Sequence, residues 1–505
     1  MGITKESKII IVGAGVFGLS TAYNLVNDGY KNIEIFDKDD LEKSKYNPLH
    51  HTDSASADIK KFYRIYNDGN NKYGKLSAKA LQTWLKWADD LRNLSDQDKA
   101  KFWDTDYELI RHTTGLRIGD QEEVSSVEKL NIAGLKELGL DGTQFDISSP
   151  ERRLSAKLLG LSKGLEVIKD WKSRDVAPRI TGYIDGVGRM IKADKACYLV
   201  KLFLDKHDVI FHFGKEGTFK SLVKGRCSKR GAKAEGIITA DGKEHRSDLV
   251  IAAAGPWTAS LVPELNHRIQ ASLANIVYFI IPKNRQDLID KYSQYPHIQW
   301  KTTSSEFDQI NGHAPLEGGF AFFPPSRKEG ILKLNLRQRR YRNPVKINDQ
   351  YVSVPVTFGD DRLPKSVIEE AKNTLLAIAP DVAKSEDLKI VSKLLWYTDA
   401  INSDFVLDYV PSVTNLLVAT GGSAHGFKFL PVLGETIVDR LNNVHNEYTK
   451  LFRWKNPSDI TKDNYGLKDD LSKITNTFKD ITIAEDADFA FSQKDLAKIG
   501  HIKLT

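Results

Sequence analysis

The chain has 505 residues, 41% of them hydrophobic, enough to bury the cores of two or more domains. Its two cysteines, Cys197 and Cys227, stand in no metal-like spacing and are too few for a disulfide framework, so a reducing compartment is expected. The 73 basic and 67 acidic residues leave a net charge of +6, a mild excess that gives no ground for a nucleic-acid partner, and no apolar run reaches the ~18 residues of a membrane span.

Met1 to Lys8 is charged and lacks the apolar stretch of a secretory signal. Lys8-Ile9-Ile10-Ile11-Val12 is a non-alternating apolar run, which predicts a buried parallel strand. Gly13-Ala14-Gly15-Val16-Phe17-Gly18 follows, and Leu19, Ala22, Leu25 and Val26 then recur at helical spacing up to a stop at Asp28-Gly29. Ile33-Glu34-Ile35-Phe36 reads as a second strand ending in Asp37. Strand, glycine turn, helix and strand within about thirty residues make a dinucleotide-binding unit. Gly13 permits the tight turn and Gly15 the close approach of a pyrophosphate. Val16 and Phe17 open the helix whose N-terminus faces the phosphates, and Gly18 lets helix and sheet pack closely. Asp37 is placed to accept hydrogen bonds from a ribose and disfavours a 2′-phosphate, so NADP is not expected. The motif alone does not separate FAD from NAD.

Residues 75–95 and 120–175 carry Leu and Trp at helical spacing among charges. Residues 205–255 alternate as strands broken by glycines and close with the apolar run Leu249 to Gly255. Residues 273–282 and 318–337 read as strands, and 414–441 as strand, glycine-rich turn and helix. The basic run Arg337-Gln338-Arg339-Arg340-Tyr341-Arg342 is taken as a solvated loop or a substrate-anion site. Beyond about residue 450 the chain turns polar and reads as a peripheral extension. His501 to Thr505 is not a peroxisomal Ser-Lys-Leu-type ending, so a cytoplasmic location is expected. No metal is expected.

Trp396-Tyr397-Thr398-Asp399, Asp404-Phe405-Val406-Leu407-Asp408 and the stretch Asn415 to Pro431, with Gly421-Gly422-Ser423-Ala424-His425-Gly426-Phe427-Lys428 inside it, resemble the flavin-binding C-terminal part of the monomeric sarcosine oxidase family. That family of D-amino-acid-oxidase-type flavoproteins includes pipecolate oxidases, fungal saccharopine oxidases and fructosyl amino acid oxidases; the saccharopine and fructosyl branches look closest. Ala254-Gly255-Pro256-Trp257 resembles the family's second FAD strand. The likeness covers roughly residues 8–450, with a weak middle around 90–180.

The resemblance implies FAD as cofactor. Gly13, Gly15, Val16, Phe17, Gly18 and Asp37 would hold its ADP half, and Val209 would meet the adenine through its backbone. Ser56, Asp58 and Lys61 match a family loop whose basic residue lies by the flavin ring. Ala254, Gly255, Trp257, Gly422, His425, Gly426, Phe427 and Lys428 would line the rest of the cofactor site, His425 as a structural histidine. Lys333 matches the lysine that relatives place beside flavin N5, where a fixed cation would favour reaction with O2. Lys428 would bind a substrate carboxylate and Arg337, four residues past Lys333, a second one. The sequence also departs from the pattern. Leu395 stands where most relatives carry a flavin-linking cysteine, which implies noncovalent FAD. Arg337 replaces an acid that reads the sugar in fructosyl-type members, and Gly182-Tyr183 replaces a Gly-Trp pair, which puts substrate contacts there in doubt.

The fold expected is α/β and α+β: a discontinuous Rossmann-type FAD domain (7–75, 176–262 and 396–450), an antiparallel-sheet substrate domain (76–175 and 263–395) and an extension (451–505). The function implied is oxidation of a secondary or cyclic amino acid of the saccharopine, pipecolate or sarcosine kind. Hydride passes from the carbon next to the amine to flavin N5, and O2 is then reduced to H2O2. A fructosyl amino acid oxidase, a flavin dehydrogenase and a non-enzymatic flavoprotein are the alternatives. The partners expected are a small amino-acid-like substrate and O2, with neither nucleic acid nor membrane, and the chain is expected to be a monomer.

Overall fold

The apolar run Ile9–Val12, buried at every position, forms an inner strand of a six-stranded sheet. The order is Val406–Tyr409, Leu416–Thr420, Leu249–Ala252, Ile9–Val12, Ile33–Asp37, Ile210–Phe213. Every neighbouring pair is parallel except the edge strand Val406–Tyr409, which is antiparallel. A parallel sheet needs cover on both faces. Helices Val16–Asn27, Ala193–Asp205 and Leu433–Leu441 cover one face through Leu19, Leu25, Val200 and Ile437. Ile10, Val12, Phe36 and Val250 on the other face pack against Ala234 and Ile237 of a second sheet, Phe219–Cys227, Gly231–Thr239 and Glu244–Arg246. The structure is a computed structural model; it describes residues 2–504 apart from 51–52, 66–70, 125, 178, 228–230, 267, 304–316, 337–340, 348, 357–360, 460–470, 472–476 and 478–480.

An eight-stranded sheet forms the other half. Its order is Lys389–Ala400, Ile269–Ile280, Ile331–Leu336, Glu317–Phe323, His297–Thr303, Gly115–Gly119, Thr181–Asp185, Gln144–Asp146. It is antiparallel throughout except where His297–Thr303 meets Gly115–Gly119. Strand alternation sends Leu332, Leu334 and Leu336 into a core shared with helices Lys365–Ile378 and Ser162–Ser173. Lys333 and Asn335 therefore take the opposite face, toward the six-stranded sheet. Among the described residues no helix is long and apolar enough to cross a membrane.

The expected helices at 75–95 and 120–175 are seen as Asn71–Arg92, Ser126–Glu137, Pro150–Leu158 and Ser162–Ser173, with the strand Gln144–Asp146 among the last three. The helices Ala193–Asp205, Gln286–Ser293 and Lys365–Ile378 were not anticipated. The reading of the chain beyond 450 as peripheral is corrected for residues 481–504. Ala484 and Leu504 are buried in the second core, Phe489, Phe491 and Ile502 pack onto it, and the Leu504 N–H donates to Val176 O at 2.8 Å. These apolar anchors are spaced among charges, so the polar average conceals them.

Candidate active site

A cavity of about 550 Å³ lies between the ends of the parallel strands and the open face of the eight-stranded sheet. At one end it meets the glycine turn. Gly13 has φ 110°, and a Cβ there would fall 2.4 Å from Ala253 O. A Cβ on Gly18 would fall 1.8 Å from Gly13 O, so Gly18 is the contact between helix and turn and lies beneath the cavity wall. Gly15, Val16 and Phe17 line the wall. Gly15 caps the helix without a side-chain hydrogen bond, and Ser56 Oγ accepts from Val16 N–H at 2.9 Å, which ties the Ser56 loop to the helix start. Gly18→Ala is expected to weaken flavin retention about ten-fold or more, the equivalent of ~1–3 kcal/mol of overpacking, read as the flavin-to-protein ratio after purification.

Asp37 accepts the Ala14 and Asp39 N–H groups at 2.7 and 2.9 Å and faces the same space. Burial raises its carboxyl above the ordinary range. Burial and then Asp37 push Asp39 up to about 6. Lys38 bridges Asp39 and Asp53. Three carboxylates against one ammonium suit neutral ribose hydroxyls and repel a further phosphate. Trp257 Nε1 is buried at this wall with no hydrogen-bond partner among the described residues, a donor that a bound dinucleotide would satisfy. Glycine cradle, helix N-terminus and orphan donor all fit FAD. Val209 is a correction: it packs in the main core, its N–H bonded to Leu204 O at 3.2 Å, and it does not line the cavity. The edge strand starts one residue later and turns back, so Gly217 and Thr218 meet the cavity instead.

At the other end stands a buried charge cluster. Asp58 accepts from Lys333 Nζ at 2.5 Å, Lys61 Nζ at 2.9 Å and the Tyr278 hydroxyl at 3.0 Å. Lys333 also donates to Lys60 O at 2.9 Å and lies 4.3 Å from the centre of the Phe323 ring. Burial pushes the Lys333 ammonium down to about 8, against the opposing pull of Asp58. Burial alone would raise Asp58, but Lys333 and Lys61 hold it well below the usual carboxylate range. Lys61 lies 5.5 Å from the centre of the Phe427 ring, which joins this cluster to the Gly422–Lys428 turn.

Ala254, Gly255, Trp257, Gly422, His425, Gly426 and Phe427 all line the cavity. His425 has its Nε2 2.8 Å from Ser403 O and packs among Tyr73, Phe405 and Phe429, a structural setting. Lys428 is buried, lines the cavity and donates to Arg64 O at 3.0 Å. Arg337 lies outside the described residues. Leu395 is fully buried among Ile59, Ala274, Ile276 and Ile331, behind the cavity wall that Trp396 and Tyr397 form. Gly182-Tyr183 lies in a strand of the eight-stranded sheet, and neither residue lines the cavity.

Sequence reasoning missed several wall residues. Asn335 shares a strand face with Lys333 at two-residue spacing and donates to the Tyr397 hydroxyl at 3.1 Å; alternation from Lys333 would have found it. Arg64 lies three residues past Lys61 and also faces the cavity. His297 stacks on Phe62 at 4.1 Å, and burial, then Arg64, hold it neutral, well below its ordinary pKa. No sequence signal marked it.

Residues 191–440 match the model of the FAD dependent oxidoreductase family. Over 458 residues the chain is 27% identical to L-saccharopine oxidase of Schizosaccharomyces pombe, a match covering 88% of this chain and 93% of that one. It is 21% identical over 442 residues to monomeric sarcosine oxidase of an Arthrobacter species, covering 86% and 92%. Among solved structures, fructosyl peptide oxidase from E. terrenum superposes with a TM-score of 0.70 at 20% identity over 96% of this chain and 99% of that one. The D-amino-acid-oxidase type of fold read from the C-terminal block is thereby borne out.

Proposed function

We propose, from the FAD dependent oxidoreductase domain matched over residues 191–440, that the chain oxidises the secondary or cyclic amine of a small amino acid and passes the electrons to O2, releasing H2O2. The observation that carries this reading is one cavity joining a dinucleotide cradle to the buried Asp58–Lys333 pair and to the cations Lys428 and Arg64. Its kinship with L-saccharopine oxidase and monomeric sarcosine oxidase supports amino acids bearing a secondary amine as the substrate class.

FAD held in this cavity would supply the acceptor for a hydride from the carbon beside the amine and the donor to O2. The protein's part is to orient and to polarise. Lys428 and Arg64 bring positive charge to the wall for a substrate carboxylate, as a charge-assisted hydrogen bond requires. Asn335 and Tyr397 set a polar edge beside Lys333. Aromatic and aliphatic walls from Phe323, Ala321, Leu273 and Trp396 limit water, which strengthens each charge–charge contact inside. Lys333, kept charged by Asp58, offers fixed positive charge for the negative charge that develops when O2 takes an electron. Lys428→Met is expected to raise KM for an anionic substrate by about 10–100-fold with a smaller change in kcat, because it removes a ground-state contact.

The reading includes noncovalent FAD, supported by Leu395 at the position of the family's linking cysteine and by its burial among aliphatic side chains. It includes a division into an FAD domain and a substrate domain, with Thr181–Asp185 and the packed segment 481–504 on the substrate side, and a cytoplasmic monomer, the compartment supported by the low cysteine content. The test is acid precipitation of the purified yellow protein, followed by a peroxide assay with L-saccharopine, L-pipecolate and sarcosine. Colour in the supernatant and peroxide with one of these agree with the proposal; colour held in the pellet contradicts the noncovalent link.

A further inference from the structure

Three side chains far apart in sequence meet on the face of the six-stranded sheet turned away from the helices. Parallel pairing of Ile33–Asp37 with Ile210–Phe213 sets Phe36 opposite His212, so Glu34, Phe36 and His212 share one face. The Glu244–Arg246 strand of the second sheet brings His245 down onto it. His212 Nε2 lies 3.0 Å from Glu34 Oε2, and one ligand atom from each of Glu34, His212 and His245 falls within 4.8 Å of the others. Phe36 fixes both rings, stacking on His212 at 4.2 Å and meeting His245 edge-on at 4.7 Å. Thr239 Oγ1 lies 3.4 Å from His245 Nε2, the kind of second contact that orients a metal-binding imidazole. None of the three residues lines the flavin cavity.

We propose that Glu34, His212 and His245 form a binding site for a divalent transition-metal ion of the Zn2+ class. Two imidazoles and a carboxylate are the donor set that Zn2+ takes, and nitrogen donors favour it over Mg2+ or Ca2+. The 3.0 Å between His212 Nε2 and Glu34 Oε2 is near the roughly 3.3 Å edge of a tetrahedron with bonds of about 2.0–2.1 Å; the ion would displace the proton these two atoms share and draw the His245 ligand atom in from within 4.8 Å. Lys8 Nζ occupies the other carboxylate oxygen, Oε1, and leaves Oε2 for the metal. Its positive charge is the one competing cation in contact with the carboxylate among the described residues, and it tempers affinity. Three protein ligands leave a fourth position for water. The ion would pin the two sheets together next to the strand that ends in Asp37, so metal binding would stabilise the nucleotide end of the fold.

The test titrates metal-stripped, FAD-loaded protein with Zn2+ and separately with Mg2+, by calorimetry. X-ray absorption is then measured at the zinc edge of the equimolar complex. The expected result is one Zn2+ per chain, no Mg2+ at the same concentration, imidazole nitrogens at about 2.0 Å in the zinc shell, and affinity lowered about 100-fold or more in His212→Gln and in His245→Gln. Zn2+ binding unchanged in both variants, or no binding by the parent protein, overturns the site. So does a zinc shell without imidazole, and that spectrum decides the matter even where a variant fails to fold.

Discussion

Lys333→Met is expected to slow the reaction of the reduced protein with O2 by about 10²–10³-fold, the cost of removing one preorganised charge from a water-poor site. Anaerobic reduction by substrate should change only a few-fold. Stopped-flow measurement of the two half-reactions separates them. Equal losses in both would mean that Lys333 serves substrate binding or the fold instead. The pH dependence has a definite sign. Lys333 carries its proton below about 8 and loses it above, so the oxidative rate of the parent protein should fall as pH rises through about 8. Stability responds the other way. Between about 8 and 10.5 the unfolded lysine binds more proton than the folded one, so with respect to this group folding strengthens as pH rises across that window. Lys333→Met should abolish both trends.

Asp58→Asn should cost about 3–5 kcal/mol of stability, because it leaves the buried Lys333 ammonium and the partly buried Lys61 ammonium without their counter-ion. Asparagine keeps the shape and the Tyr278 contact but not the charge. The loss should be largest at low pH and smaller above about 8, where Lys333 is neutral in any case. Adding Lys333→Met to Asp58→Asn should recover part of the loss, since an apolar side chain needs no partner in that site. Chemical unfolding of the single and double variants at two pH values measures this. A single variant as stable as the parent at low pH would show that solvent, not Asp58, carries the cluster.

The nucleotide end of this site was legible because its determinants are local. A strand, three glycines, a helix and an acid fall within one stretch, and each residue type answers a steric or electrostatic demand of that stretch. The reactive end was legible only through likeness to relatives. Lys333 lies 275 residues past Asp58, and nothing in the spacing of Lys333 predicts a carboxylate from residue 58. Val209 was misplaced by one strand edge, where a small shift in the start of Ile210–Phe213 moves the contact to Gly217 and Thr218. His212 and His245 carry no spacing signal at all; strand register between two sheets brings them together. The packed segment 481–504 was hidden for a different reason, since a few buried side chains among many charges do not move an average.

We propose FAD in this cavity and the amine of an amino acid as what it oxidises. Anaerobic titration of the purified protein with L-saccharopine, L-pipecolate and sarcosine, followed in the visible flavin band, tests it most directly. At least one of them should bleach the band, and admitting O2 should restore it with one H2O2 for each substrate consumed. A flavin band that none of these amines bleaches, or a protein that takes up no flavin when FAD is supplied, would contradict it.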